Sequence, residues 1–224
     1  MKMAWPETLR EMPSTLKTLA LDSDESPVRD LRIALGADRR TLRRASKRAY
    51  LNLLKVEKAA AAIERLPEAG ESVHMVVRGD FALADVVSAV VKLIEPATIK
   101  QLDVATLGFN KRNAADLLKM IDDGKIGRVV FLASAYFRAM DDQADLYELL
   151  VRELKKRKAH RIAAVRTHAK ILGFETTDGR FYCVESSANY RSCNNIEQIA
   201  IHADRALVAF HREWMNDAMA RVNE

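Results

Sequence analysis

His168-Ala169-Lys170-Ile171-Leu172-Gly173-Phe174-Glu175 is the stretch on which the rest of the chain turns. Its apolar residues have the character of a buried strand, and His168 and Lys170 interrupt that pattern. Polar groups in a buried strand are costly unless paired, so such interruptions are the first place to look for function. Residues i and i+2 of a strand share a face, which predicts that His168 and Lys170 stand side by side on a strand over 168–174. Thr177-Asp178-Gly179 is a hairpin signal that returns the chain through 180–186 to Glu185-Ser186-Ser187-Ala188-Asn189, beside the first strand. Asn195-Ile196-Glu197-Gln198 then opens another strand. A nucleophile candidate, a fixed cation and several hydrogen-bonding groups are thereby expected on one sheet edge. Glu185 is read as a solvent-face residue.

Outward from this stretch, short β-branched runs alternate with helical patterns. Strands are predicted over 73–78, 100–107, 128–133 and 161–167, and helices over 81–94, 111–122 and 143–158. A last strand over 197–201 leads into an amphipathic helix over 204–219, with Leu207, Phe210, Trp214 and Ala218 as its expected core face. Such alternation is the signature of an α/β fold with a mixed, mostly parallel sheet flanked by helices. Polar residues at the expected carboxyl ends of the parallel strands, among them Gly79, Asp80, Asn110, Ser134 and Tyr136, are candidate rim residues. A seam at Leu66-Pro67-Glu68-Ala69-Gly70 separates this domain, 71–224, from a segment over 1–70 that reads as helical. One of its helices is expected from Asp38 to near Leu66, with no strand.

The proportions are globular, with 49% hydrophobic and 30% charged residues. The net charge of +5 is the difference between 36 basic and 31 acidic side chains, and the pI is near 9.2. A basic balance permits a polyanionic partner without proving one. The 2 cysteines, Cys183 and Cys193, build neither a disulfide framework nor a tetrahedral zinc site. Cys183 is read as a small buried hydrophobe and Cys193 as a loop thiol. No export signal or membrane span is read, so the expectation is a cytoplasmic protein without a membrane partner.

The order His168-x-Lys170-x4-Glu175, then Ser186-Ser187-x-Asn189, resembles the H-x-K-x4-D and G-S-x-N signature of the phospholipase D superfamily. Glu197 with Ile199 and Ile201, followed by a helix bearing Phe210, His211 and Trp214, resembles the continuation in that superfamily's compact bacterial endonucleases. The resemblance implies a metal-independent phosphodiesterase, foremost a DNA endonuclease that passes through a phosphohistidine and uses no cofactor. In it His168 is the nucleophile, while Lys170, Ser187 and Asn189 hold the phosphate oxygens. Glu197 orients His168 through the second ring nitrogen. Glu175 stands where the motif has aspartate and is a supporting residue; Ser186 stands where it has glycine and adds a side chain near the phosphate. Only one H-x-K occurs in the chain, so the resemblance implies a homodimer with one composite site, the partner copy supplying the second histidine.

Arg39, Arg40, Arg43, Arg44, Lys47 and Arg48 form a run without an acidic residue, and Lys155 and Lys156 begin another that leads towards His168. Both are candidates for nucleic-acid phosphates, DNA or RNA. Two other functions stay open: a catalytically silent DNA-binding or assembly protein, motivated by Glu175 and Ser186, and a phosphodiesterase acting on small phosphoesters or a phospholipid headgroup.

Overall fold

A computed structural model of the chain describes residues 40–44, 48–52, 59–78, 82–191 and 195–222. Expectations that fall on Arg39, Lys47, Gly79, Asp80, Cys193 and the first 37 residues lie outside these. The described residues fall within one compact unit. Its elements in chain order are β1 Arg40–Arg44, β2 Arg48–Asn52, α1 Ala59–Ile63, β3 Ser72–Arg78, α2 Leu83–Leu93, β4 Ile99–Thr106, α3 Lys111–Asp122 and β5 Ile126–Ser134. Then follow α4 Ala135–Arg138, α5 Asp141–Lys156, β6 Arg161–Val165, β7 Ile171–Thr176, β8 Phe181–Ser186, β9 Ile196–His202 and α6 Arg205–Ala220.

The strands make one nine-stranded sheet in the order β2-β1-β3-β9-β8-β7-β4-β5-β6. It is mixed, and parallel pairing is confined to β4-β5-β6. The remaining pairs are antiparallel because the chain returns through the hairpin β7-β8 and then lays β9 between β8 and β3. The central strands are buried on both faces. In β5, Val129, Phe131 and Ala133 face the core shared with α2, α3 and α5, while Val130 and Leu132 face the core under α6.

Two local readings change. Residues 40–52 were expected within a helix, and the described ones form the antiparallel hairpin β1-β2, with β1 paired along β3. Arginine, alanine and leucine favour helix locally. Without β1, however, β3 would present an open edge of backbone donors and acceptors, and a ladder running from Arg40↔Val76 to Arg44↔Ser72 satisfies it. On α6 the buried stripe is Val208, His211, Met215 and Met219, one position beyond the expected one, and Phe210 is 61% exposed. The chain can bury His211 because its ring is fully partnered. Trp214 Nε1 donates to Nδ1 at 2.9 Å, which leaves Nε2–H to donate to Glu185 Oε1 at 3.1 Å. Glu185 is therefore bonded to α6 and half-exposed. Cys183 is buried, and burial pushes its thiol up to about 12. Among the described residues no helix is long and apolar enough to cross a membrane.

Candidate active site

Strand direction decides which residues meet. β4, β5, β6 and β8 run one way and β7 and β9 the other, so the carboxyl ends of the first set share a sheet edge with the amino ends of the second. That edge holds Leu107 after β4, Ser134 to Tyr136 at the end of β5, Arg166 to His168 after β6, and Lys170 before β7. It also holds Ser186 to Asn189 at the end of β8, and Ile196 and Glu197 at the start of β9.

His168 and Lys170 are adjacent here, although not through the shared face of a strand. Residues 167–170 belong to no strand and lead into β7, and Thr167 Oγ1 accepts from Ala169 N at 3.1 Å. Lys170 folds back on its neighbour. Its Nζ lies 2.7 Å from His168 Nδ1 and donates to the His168 carbonyl at 2.9 Å. A lysine ammonium only donates, so Nδ1 is the acceptor and the proton of the neutral imidazole sits on Nε2. Two of the three ammonium hydrogens are thereby used, and the third has no hydrogen-bond partner among the described residues. Lys170 is 8% exposed, whereas His168 is exposed. Burial draws the Lys170 ammonium below the ordinary lysine range, and the Glu197 carboxylate opposes that shift.

Glu197 is buried and held by Ser187, whose Oγ donates to Oε2 and accepts from Gln198 N at 2.9 Å. A hydrogen bond donated by His168 to Glu197 was expected; among the described residues the His168 ring and carbonyl bond to Lys170 instead. Ser186 Oγ donates to the Gln198 carbonyl at 2.8 Å and accepts from Ala188 N at 2.8 Å, so its hydroxyl braces the turn after β8. Asn189 is tied to α2 by its backbone, its carbonyl accepting from Leu83 N at 3.0 Å. Its Oδ1 is buried and has no hydrogen-bond partner among the described residues. The side chain thus stands beside the Ser187 turn with hydrogen-bonding capacity unspent.

Glu175 lies at the other end of β7. Lys100 Nζ donates to it at 2.6 Å and Arg212 Nη1 at 2.8 Å. Arg212 Nε donates to Asp103 at 2.9 Å, and Asp103 accepts from Gln101 at 2.6 Å. Gly173 faces Asp103 across the ladder, and a Cβ there would come within 3.2 Å of the carboxylate. Glycine at 173, within the spacer between Lys170 and Glu175, therefore makes room for an ion cluster that fastens α6 to the sheet. Lys155 and Lys156 also lie away from His168, since they precede the amino end of β6 and His168 follows its carboxyl end. Position in sequence suggested that they flank His168, but the length of β6 intervenes. Lys156 is paired with Glu153 at 2.8 Å. Arg40, Arg43, Arg44 and Arg48 are on the hairpin strands β1 and β2.

An open pocket of about 730 Å³ adjoins His168, and Leu107, Ser134, Tyr136, Arg166 and Thr167 are among its lining. Ser134 and Tyr136 were rim candidates on strand-end grounds. Arg166 and Thr167 were missed, although they directly precede the motif. Asn110 serves as a helix cap, its Oδ1 accepting from Asn113 N at 2.8 Å.

No family model matches the sequence, and no curated protein matches it. Among solved structures the chain is similar to NucT from Helicobacter pylori at 13% identity, covering 66% of this chain and 96% of that one, with a TM-score of 0.46. It is similar to polyphosphate kinase from Porphyromonas gingivalis at 14% identity, over 75% of this chain and 30% of the kinase, with a TM-score of 0.49. It is also similar to Nuc from Salmonella typhimurium, a phospholipase D family member, at 11% identity over 65% and 93% of the two chains, with a TM-score of 0.45. These are likenesses of fold.

Proposed function

We propose that the chain is a phosphodiesterase of the phospholipase D kind that cleaves DNA without a metal, with residues 71–224 as the catalytic unit. One observation carries this: a buried lysine, unpaired by any direct carboxylate hydrogen bond among the described residues, donates to an exposed histidine at the open edge of the sheet. A phosphate oxygen supplies what that ammonium lacks. When the phosphate takes the Lys170 hydrogens, the imidazole is released to turn a lone pair on phosphorus. A P–N bond to His168 forms as the P–O bond to the leaving group breaks. A second histidine, His168 of a partner copy in its protonated imidazolium form, donates a proton to the departing oxygen and becomes neutral, ready to take a proton from the water of the next step. Water then attacks phosphorus, breaks the P–N bond and restores both histidines. The exposed site and the apolar side chain of Ile196, 53% exposed beside Glu197, suit a second copy closing over this edge. Ser187 and Asn189 offer further polar groups to the phosphate oxygens, and the arginines of β1 and β2 are candidates for flanking phosphates.

The silent DNA-binding alternative was motivated by Glu175 and Ser186. In the structure the Glu175 side chain engages Lys100 and Arg212 and the Ser186 hydroxyl engages Gln198 and Ala188; Ser186 meets Lys170 through its backbone N, which donates to the Lys170 carbonyl at 3.1 Å, and neither departing side chain hydrogen-bonds His168 or the Lys170 ammonium among the described residues. That favours the active reading. The test is incubation with plasmid and oligonucleotides in EDTA, with bis-p-nitrophenyl phosphate alongside. Cleavage that is lost in His168→Ala supports the proposal. Absence of cleavage, or cleavage that survives the substitution, refutes it; turnover of the small diester alone shifts the substrate class to small phosphoesters. Light scattering showing a monomer at micromolar concentration would refute the composite site.

A further inference from the structure

The pocket beside His168 is built for more than a phosphate. Three consecutive strand ends wall it, and its apolar lining of Leu107, Ala135 and Ala139 would do nothing for a phosphodiester alone. Tyr136 stands in this wall 69% exposed. Its placement is enforced by its neighbours. Ser134 Oγ accepts from Tyr136 N at 3.2 Å, and the next residue, Phe137, is buried with its ring 4.8 Å from that of Phe109. A Cβ at Gly108 would come within 2.6 Å of the Phe137 ring, so glycine at 108 is what lets Phe137 seat. With Phe137 anchored inward, the residue before it is held outward. Tyr136 makes no ring contact with another aromatic side chain among the described residues. On the same pocket wall, exposed Arg166 makes no hydrogen bond or ion pair among the described residues. An outward-facing, uncovered aromatic side chain and an unspent guanidinium thus flank the histidine.

We infer that this pocket is a nucleobase subsite: Tyr136 stacks on the base of the nucleotide next to the scissile phosphate, and Arg166 takes the neighbouring phosphate. The inference rests on the phosphodiesterase reading of His168 and narrows its substrate to unpaired nucleic acid. A base inside a duplex has both faces covered by its neighbours and reaches an aromatic side chain only by leaving the stack. A single strand offers the face freely, and stacking on an aromatic side chain tolerates any base. Tyrosine supplies that face with only two side-chain torsions to freeze.

The experiment is EDTA-resistant cleavage, together with fluorescence-anisotropy binding, of a labelled single-stranded oligonucleotide. Its duplex and a series carrying one abasic site at each position in turn are measured alongside. Tyr136→Ala is expected to weaken binding and raise KM by roughly 5- to 150-fold, the range of one lost base stack, with the loss falling on KM rather than kcat. Tyr136→Phe restores it. In one abasic position the wild type shows the same loss, and Tyr136→Ala adds nothing to it. Arg166→Gln lowers the salt dependence of binding by about one phosphate. Unchanged KM in Tyr136→Ala, additive effects at every abasic position, or preference for the duplex overturns the subsite. Should the wild type cleave nothing, the phosphodiesterase reading fails while the subsite is judged separately on the His168→Ala protein. There, binding of the single strand that depends on Tyr136 supports the subsite, and binding indifferent to Tyr136 overturns it.

Discussion

The two ends of strand β7 carry charge in opposite ways. Ahead of the amino end, the Lys170 ammonium is buried and gives two of its three hydrogens to an imidazole nitrogen and a carbonyl oxygen. At the carboxyl end, about 16 Å away along an extended chain, Glu175 is closed between Lys100 and Arg212, and Arg212 also binds Asp103. Both groups titrate below their ordinary ranges, for contrary reasons. Lys170 is shifted by desolvation, which disfavours its charge, and Glu175 by cations that favour its charge. A charge that no carboxylate hydrogen-bonds, at an open edge, is available to a phosphate; one enclosed by hydrogen-bonded counter-ions fastens a helix. Within one eight-residue stretch, His168 and Lys170 carry the proposed chemistry, while Glu175 is bound into an ion cluster with Lys100 and Arg212.

The sharpest way to break this contrast is to exchange the expected phenotypes of the two ends. His168→Ala should abolish cleavage by a factor on the order of 10³ or more, with Tm unchanged because the side chain is exposed. Lys170→Met should cost about 10²- to 10³-fold in kcat/KM. It should leave Tm unchanged or slightly raised, since a desolvated cation is replaced by a side chain of similar length. Kinetics and thermal melts on the same preparations check both. A large fall in Tm for either variant would make the amino end structural as well. The sign of the pH dependence follows from the Lys170 shift. Its ammonium is lost at a lower pH than that of an ordinary lysine, so cleavage should fall on the alkaline side below the usual lysine range. Burial of the charged form costs stability at neutral pH, and that cost disappears as pH rises through the folded-state value. Activity and this group's effect on stability therefore move in opposite directions.

At the other end, Arg212→Ala should destabilise without disabling. Asp103 is 1% exposed and would lose its guanidinium, so about 2–4 kcal/mol is expected. For a unit of this size that corresponds to roughly 4 to 16 °C in Tm. Cleavage by the fraction still folded should stay near the wild-type rate. A specific loss of kcat in fully folded Arg212→Ala would carry the ion cluster into the chemistry and erase the contrast.

Whether a feature was legible in the chain depended on how local its cause is. The alternation of strands and helices from 72 onward follows from hydrophobic periodicity, and α3 falls on 111–122 as expected. The meeting of His168, Lys170, Ser187 and Glu197 at one edge follows from the turn at Thr177-Asp178-Gly179, which is a local signal. Three features were not legible because their causes are distant. The hairpin β1-β2 exists to pair with β3, against the helical preference of its own residues. The buried stripe of α6 includes His211, whose burial depends on Trp214 and on Glu185 from β8. The role of Glu175 is set by Arg212 on α6 and Lys100 on β4, neither of which the motif contains.

The smallest expected effect separates construction from chemistry at Glu175 itself. The Lys100 hydrogen bond, and after it Arg212, hold its carboxyl below the usual glutamate range, against a desolvation that raises it. A carboxylate whose folded value lies below its unfolded one contributes stability that is fully present above the unfolded value, about 4.3. That contribution is lost as pH falls through the folded value. Lys100 is 66% exposed, which screens the stronger of the two partners and limits the contribution to about 0.5–1 kcal/mol. Glu175→Gln should therefore lower Tm by a few degrees at pH 7, with the difference from wild type shrinking steadily as melts are repeated below about pH 4. Cleavage at pH 7 should be retained, because the amide still fills the same place beside Arg212 while Lys170 and His168 are untouched at the far end of the strand. If Glu175→Gln instead kept its full Tm and lost cleavage, the carboxylate would belong with His168 and Lys170, and the division of the motif between the two ends of β7 would be wrong.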